Sequence, residues 1–178
     1  MNQSKLKSVH FITGASGVGK TVLLSALKNE FPNENWAFLH FDSIGVPSFE
    51  EMEKQFGSPS AWQEAMTYKW IKNIFKKYSG YEKVFFEGQV NLEFILQGFK
   101  KHNYKNYKIT LIDCSEEEMA YRLTHHRNQP ELLSEDMKNW LKFLRNQAKE
   151  LSVSILDTTN KSKVKALEEF KELLSAFR

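Results

Sequence analysis

The chain has 178 residues, 41% hydrophobic and 26% charged, with 25 basic against 22 acidic side chains and a formal net charge of +3. That length and mix suit one domain with a buried core and argue against a disordered chain. The charge imbalance is too slight to imply a nucleic acid or a membrane as the main partner, and neither is expected.

The lone Cys114 cannot form an intramolecular disulfide and reads as a buried structural thiol. No secretory signal opens the sequence and no apolar run approaches the ~18 residues of a membrane span, so a cytoplasmic protein is expected. Oligomeric state is left open.

Ser8 to Thr13 reads as a first strand. The stretch that follows, Gly14-Ala15-Ser16-Gly17-Val18-Gly19-Lys20-Thr21, fits the phosphate-cradling pattern G-x-x-x-x-G-K-[ST] at every specified position. It opens apolar residues at helical spacing, Val22, Leu23, Ala26 and Leu27, and strand, loop, helix is the context the pattern requires. Gly14, Gly17 and Gly19 let the backbone take turns that a side chain would forbid, so successive N–H groups can face phosphate oxygens. The following helix adds its positive end. Lys20 is expected to reach the β- and γ-phosphates and the Thr21 hydroxyl to hold Mg²⁺, which makes a nucleoside triphosphate the expected ligand.

The helix runs to about Glu30 and is closed by Pro32. Trp36 to Phe41 reads as a second strand ending at Asp42-Ser43. Residues 44–80 form a helical insert, with capping boxes at Ser48-Phe49-Glu50-Glu51 and Ser60-Ala61-Trp62-Gln63 and a helix to about Tyr78 striped by Trp62, Met66, Trp70 and Ile74. The insert is the expected seat of a second substrate. Lys83 to Glu87 is a third strand, followed by Gly88 and a helix ending near His102. Tyr107 to Asp113 is a fourth strand, and a box at Ser115-Glu116-Glu117-Glu118 opens the helix that carries Arg122 and Arg127. Pro130 predicts a boundary near Gln129. A helix over Ser134 to Glu150, a fifth strand over Ser152 to Leu156 and a turn at Asp157-Thr158-Thr159 follow. Val164, Leu167, Phe170, Leu174 and Phe177 stripe the last helix.

Asp42 and Glu87 end apolar strands beside the glycine-rich loop, where a parallel sheet places functional groups. An acid there can hold Mg²⁺ or orient an attacking hydroxyl, or can simply open a loop. Asp113 also ends a strand but ranks below them, because it could merely precede the Ser115 cap. There is no arginine before Arg122, and Arg122, Arg127 and Arg145 flank the proline-interrupted segment. Residues 122–134 therefore read as a lid whose Arg122 and Arg127 close over phosphates. Arg145 reads as a surface salt bridge.

In this order of elements the chain resembles the small P-loop kinases of the nucleoside-monophosphate-kinase-like group, which includes shikimate, gluconate and adenylylsulfate kinases and chloramphenicol phosphotransferase. The resemblance implies an α/β, three-layer P-loop NTPase domain over residues 1–178, with a five-stranded parallel sheet in the order 2-3-1-4-5 and the helical insert at 44–80. It also implies an ATP- and Mg²⁺-dependent kinase that moves the γ-phosphoryl to a hydroxyl of a small molecule. In that group the aspartate matching Asp42 contacts the acceptor hydroxyl, as contact or base. The acid matching Glu87, usually Asp, joins Thr21 in the Mg²⁺ network. The lid arginines close on ATP, and the turn matching Asp157 to Thr159 lies near the adenine.

The departures are informative too. Residues 44–80 hold no arginine, which argues against a phosphorylated acceptor. A surface drawn from Phe49, Phe56, Trp62 and Tyr68, with Lys54 or Lys69 at its edge, suits a neutral or mildly anionic hydroxyl compound. Asn160-Lys161-Ser162-Lys163 departs from the guanine-reading N-K-x-D motif at Lys163, and no D-x-x-G element follows the third strand. The alternatives are a nucleotide-binding regulatory ATPase module acting on a protein partner, and a nucleoside monophosphate or polynucleotide kinase.

Overall fold

The computed structural model describes residues 6–175. Five parallel strands form one sheet in the order β2-β3-β1-β4-β5, with helices on both faces. The strands are β1 (Ser8–Thr13), β2 (Trp36–His40), β3 (Lys83–Gly88), β4 (Tyr107–Asp113) and β5 (Ser154–Asp157). The helices are α1 (Lys20–Glu30), α2 (Phe49–Phe56), α3 (Pro59–Lys77), α4 (Leu92–Lys101), α5 (Glu116–Tyr121), α6 (Glu135–Glu150) and α7 (Lys163–Ser175). The predicted sheet and strand order are the ones observed. The chain divides into two compact units, one from Asn35–Lys108 together with the chain up to Phe11, the other from Ile12–Glu34 together with the chain from Ile109 onward.

In the first unit β2 and β3 pair in parallel from Trp36↔Lys83 to His40↔Glu87. Consecutive aromatic residues on β3 face opposite sides, as a strand's period of two requires. Phe86 meets Phe11 edge-on at 4.5 Å and Trp70 at 5.0 Å, while Phe85 stacks on His10 at 4.8 Å and Phe38 at 5.3 Å. Helix α3 packs against α2 and α4, and its Trp62, Trp70, Ile71 and Ile74 are buried. The Trp70 indole N–H donates to the Phe41 carbonyl at 3.1 Å.

Two boundaries differ from the sequence reading, each for a local reason. The strand expected to reach Phe41 stops at His40, and Phe41–Ile44 form a 3-10 turn that ends at Gly45, whose φ of 89° suits glycine. The second cap is Ser58 rather than Ser60: Pro59 takes the first helical position and the Ser58 hydroxyl accepts from Ala61 N at 3.0 Å. Gln63 is thereby released from a capping role. Its amide donates to the Gln89 carbonyl and accepts from Asn91 N, both at 3.0 Å, tying α3 to the segment after β3. The Ser48–Glu51 box is formed as predicted.

In the second unit β4 and β5 pair from Thr110↔Ser154 to Asp113↔Asp157, α1 packs against α7, and α6 and α7 flank β5. β5 begins two residues later than expected from Ser152, which sits at φ 54° and closes the turn after α6. The α7 stripe is rotated: Val164 is 67% exposed, while Ala166 and Phe170 are buried. Phe177 lies outside the described residues. Arg145 forks onto Asp113 at 2.6 and 3.1 Å and reaches the Cys114 carbonyl at 3.0 Å. Cys114 is buried, and burial pushes its thiol up to about 12, which fits a structural role.

Two outcomes follow from the first unit. A Cβ on Gly88 would sit 2.5 Å from Phe41 Cβ and 3.1 Å from its Cγ. Gly88→Ala should therefore push the 41–44 turn outward and destabilise by ~1–3 kcal/mol in urea unfolding. A change under ~0.5 kcal/mol would mean that the contact is looser than it looks. His10 is lowered from its ordinary 6.5 to about 3, first by burial and then by Lys108 and Lys83, so the folded chain keeps the ring neutral. Below pH 6.5 the unfolded chain binds a proton that the folded chain refuses, so stability falls as pH drops from 6.5 toward 3, by ~1.4 kcal/mol per unit for this group. His10→Phe should flatten that slope in urea midpoints measured between about pH 7 and 4; an unchanged slope would place the acid sensitivity elsewhere.

Candidate functional site

In the second unit the glycine-rich loop leaves β1 and ends where α1 opens. Its glycines answer crowding as well as dihedral demand. A Cβ on Gly14 would lie 2.3 Å from the Ile112 carbonyl oxygen, and one on Gly17, at φ 82°, would lie 3.0 Å from the Leu123 side chain. Gly19 caps α1 with no side-chain bond, and the first turn of the helix holds no acid. The helix's positive end is therefore not neutralised by its own sequence, which is what an anion site requires. The Lys20 ammonium spans the loop and donates to the Ala15 carbonyl at 2.9 Å.

The opposite wall is built by Arg122. Its Nε donates to Glu118 at 2.7 Å, one terminal nitrogen donates to the Val18 carbonyl at 3.1 Å and the Thr158 hydroxyl at 2.9 Å, and the other to the Thr158 carbonyl at 2.7 Å. Arg122 opens a π turn, Arg122–His126, that continues α5. Such wide turns are frequent at functional sites because the extra residue re-aims the side chains beyond it. Here those side chains include His126 and Arg127, which line the same cavity as Gly17 to Leu23, Thr158, Lys161 and Lys163. The cavity holds about 600 Å³. Lys20, Arg127 and Lys163 make it positive, with Arg122 paired to Glu118 and Lys161 to Glu169. A polyanion suits that field.

Of the turn expected to meet the nucleotide, Thr158 lines the cavity. Its hydroxyl lies 3.0 Å from both the Val18 and the Asp113 carbonyls. Asp157 and Thr159 brace the turn instead: the Asp157 carboxylate accepts from Thr159 N and its hydroxyl at 2.9 and 2.6 Å, and Ser115 N donates to that hydroxyl at 2.8 Å. The Ser115 box is consequently half formed, with Glu118 N on the Ser115 hydroxyl but the Glu118 carboxylate on Arg122. Sequence reasoning missed Lys161, Ser162, Lys163 and His126. The first three lie in the tract set aside for failing the guanine motif, although a lysine pair directly after a strand-end turn was a usable signal.

The first unit holds the two strand-end acids. Asp42 is exposed in the 3-10 turn, its carbonyl accepting from Gly45 N at 3.0 Å. Glu87, 7% exposed, has His40 Nδ1 on its Oε1 at 2.6 Å, and the His40 side chain is 46% exposed. His40 was not a candidate from sequence. The expected aromatic surface is dispersed: Trp62 is core against Phe41, and Tyr68 bonds Glu64 at 2.5 Å beneath the Lys101 ammonium. Phe49 is 63% exposed, and Lys54 and Lys69 are exposed. Among the described residues no helix is long and apolar enough to cross a membrane.

The sequence matches no protein-family model and no curated protein. Solved structures do share its architecture. Shikimate kinase from Acinetobacter baumannii in complex with shikimate superposes with a TM-score of 0.59 at 14% identity, covering 98% of this chain and 96% of that one. A gluconokinase from Sinorhizobium meliloti 1021 gives 0.62 at 15%, covering 97% and 99%. Shikimate kinase from Aquifex aeolicus vf5 gives 0.60 at 18%, covering 94% and 96%. At such identities the likeness is one of fold, and the fold is that of the small P-loop kinases.

Proposed function

We propose that the chain is an ATP- and Mg²⁺-dependent kinase that transfers the γ-phosphoryl group to a hydroxyl of a small molecule. The observation that carries this reading is the cavity in which the glycine-rich loop, Lys20, Thr21 and the Arg122 wall come together. Phosphoryl transfer needs positioning and charge stabilisation more than covalent chemistry, and those are what this lining offers. The shared fold with shikimate and gluconate kinases supports a small acceptor over a protein one.

In this reading Lys20 follows the charge moving onto the transferred group, and Arg127 closes from the 122–134 segment. Arg122 holds the wall and neutralises phosphate charge from a fixed place. Thr158 sits at the base end. Thr21 would hold Mg²⁺, which supplies charge neutralisation at the phosphates and needs only one or two protein oxygens besides them. Asp42 orients the acceptor hydroxyl. The acceptor itself is a neutral or mildly anionic hydroxyl compound, since the 44–80 insert offers exposed Phe49 but no arginine fork for a phosphate.

ADP release from Mg·ATP across a panel of sugars, polyols, hydroxy acids, nucleosides and nucleoside monophosphates tests this. Stimulation by a non-phosphorylated member is expected. A monophosphate preferred by a wide margin would overturn the acceptor argument, and turnover that only a protein partner can switch on would favour a regulatory module. Lys20→Ala should lower transfer by about 100-fold or more, because it removes a preorganised charge at the transition state. Its urea midpoint should stay near that of the parent chain. Near-parental turnover in Lys20→Ala would sink the phosphate-cradle assignment.

A further inference from the structure

Every residue that lines the cavity beside the glycine-rich loop belongs to the second unit, so its parts can be compared directly. The loop and the open end of α1 suit phosphates, which leaves the base to the wall of Thr158, Lys161, Ser162, Lys163 and Ala166. Lys163 and Ala166 are three residues apart at the start of α7 and share one face of it. Lys161 is tied to Glu169 at 2.6 Å, whereas Lys163 is exposed and makes none of the ion pairs found among the described residues. Acceptors on this lining are already engaged. Glu118, its one carboxylate, accepts from Arg122 at 2.7 Å. The Thr158 carbonyl accepts from Arg122 at 2.7 Å and from Lys161 N at 3.2 Å, and the Thr158 hydroxyl lies between Arg122 and two carbonyls. The Ser162 hydroxyl accepts from Lys165 N at 3.2 Å and keeps its hydrogen to donate. His126 adds at most one acceptor nitrogen, from the π turn.

Purine bases differ most at carbon 6, where adenine carries an amino group that donates and guanine or hypoxanthine a carbonyl that accepts. A wall rich in donors, with its acceptors engaged, suits the carbonyl. We propose that the nucleotide this cavity prefers is a 6-oxopurine triphosphate, GTP or ITP, whose base carbonyl is read by the Lys163 ammonium. This rests on the kinase reading above and changes only the base of its phosphoryl donor; the loop, Lys20 and the Arg122 wall meet the phosphates as before. The departure from N-K-x-D at Lys163 then has a consequence of its own. A carboxylate at that place could accept from the ring N–H and the 2-amino group of guanine, and a lysine cannot. The 2-amino group therefore goes unread, and hypoxanthine serves as well as guanine.

Binding of ADP, GDP and IDP to the full chain, measured by calorimetry with Mg²⁺, reads the base without turnover. GDP and IDP are expected to bind about tenfold tighter than ADP, the scale of one hydrogen bond to a charged group, and within about threefold of each other. Lys163→Met keeps the length of the stem and should bring GDP and IDP down to the ADP value, with ADP itself moved by less than about threefold. Lys163→Glu should reverse the order, since a carboxylate accepts from the 6-amino group of adenine. Lys163 is exposed, so neither variant should move the urea midpoint. The proposal is overturned if the parent chain favours GDP and IDP over ADP by less than about threefold, or if it favours GDP alone. It is also overturned if Lys163→Met weakens all three by the same factor, which would make Lys163 a phosphate contact. A parent chain that binds none of the three would instead overturn the phosphate-cradle assignment, and this role with it. One that binds GDP and IDP best, yet transfers no phosphoryl group from GTP to any acceptor, would overturn the kinase reading and leave the base assignment standing.

Discussion

The cavity beside the glycine-rich loop depends on one guanidinium. Arg122 is anchored to Glu118 on its own helix and to both the hydroxyl and the carbonyl of Thr158, and it takes the Val18 carbonyl from the glycine-rich loop. A trans peptide points its C=O and N–H in opposite directions. Holding the Val18 carbonyl toward Arg122 and Thr158 therefore turns the Gly19 N–H away from them. The loop's donors are aimed by what its carbonyls are bound to, and the glycines only permit the turn that the arginine selects. A planar fork with several fixed donors can do this where a lysine could not.

The same arrangement explains which parts of the site were legible in the sequence. The loop could be read because each of its constraints is local: Gly14 beside a strand end, Gly19 at a helix start, Lys20 and Thr21 in the first turn. The fold could be read for a similar reason, since strand and helix periods alternate along the chain and the resemblance supplied the strand order. Ser58 and Ser60 are both acceptable caps, and only the proline between them decides. Trp62 recurs at helical spacing whether it faces a ligand or Phe41, and periodicity cannot separate those cases. Thr158 was singled out, but its bonds to Val18 and Asp113 belong to the tertiary fold.

His40 was illegible for a further reason. It lies 47 residues from Glu87, and the pairing exists only because β2 and β3 are in the register that sets one opposite the other. A one-residue slip would turn the ring to the other face of the sheet. Nothing in the local run of Phe38, Leu39, His40 and Phe41 announces a partner for that histidine.

The two ends of the sheet treat equivalent positions in opposite ways. In β4 and β5 the last register pair is Asp113↔Asp157, two like charges side by side, an arrangement that costs stability unless each is neutralised. Arg145 takes both oxygens of Asp113, and Thr159 takes Asp157, so those carboxylates are consumed in holding strand, turn and helix together. In β2 and β3 the matching pair is His40↔Glu87, where the buried acid meets a half-exposed imidazole at 2.6 Å. An acid at the end of a parallel strand is therefore not by itself a sign of chemistry. What distinguishes Glu87 from Asp113 is the partner each is given: a half-exposed imidazole from the neighbouring strand for Glu87, or, for Asp113, a guanidinium from a helix whose donors close on both oxygens of the acid and on a neighbouring carbonyl.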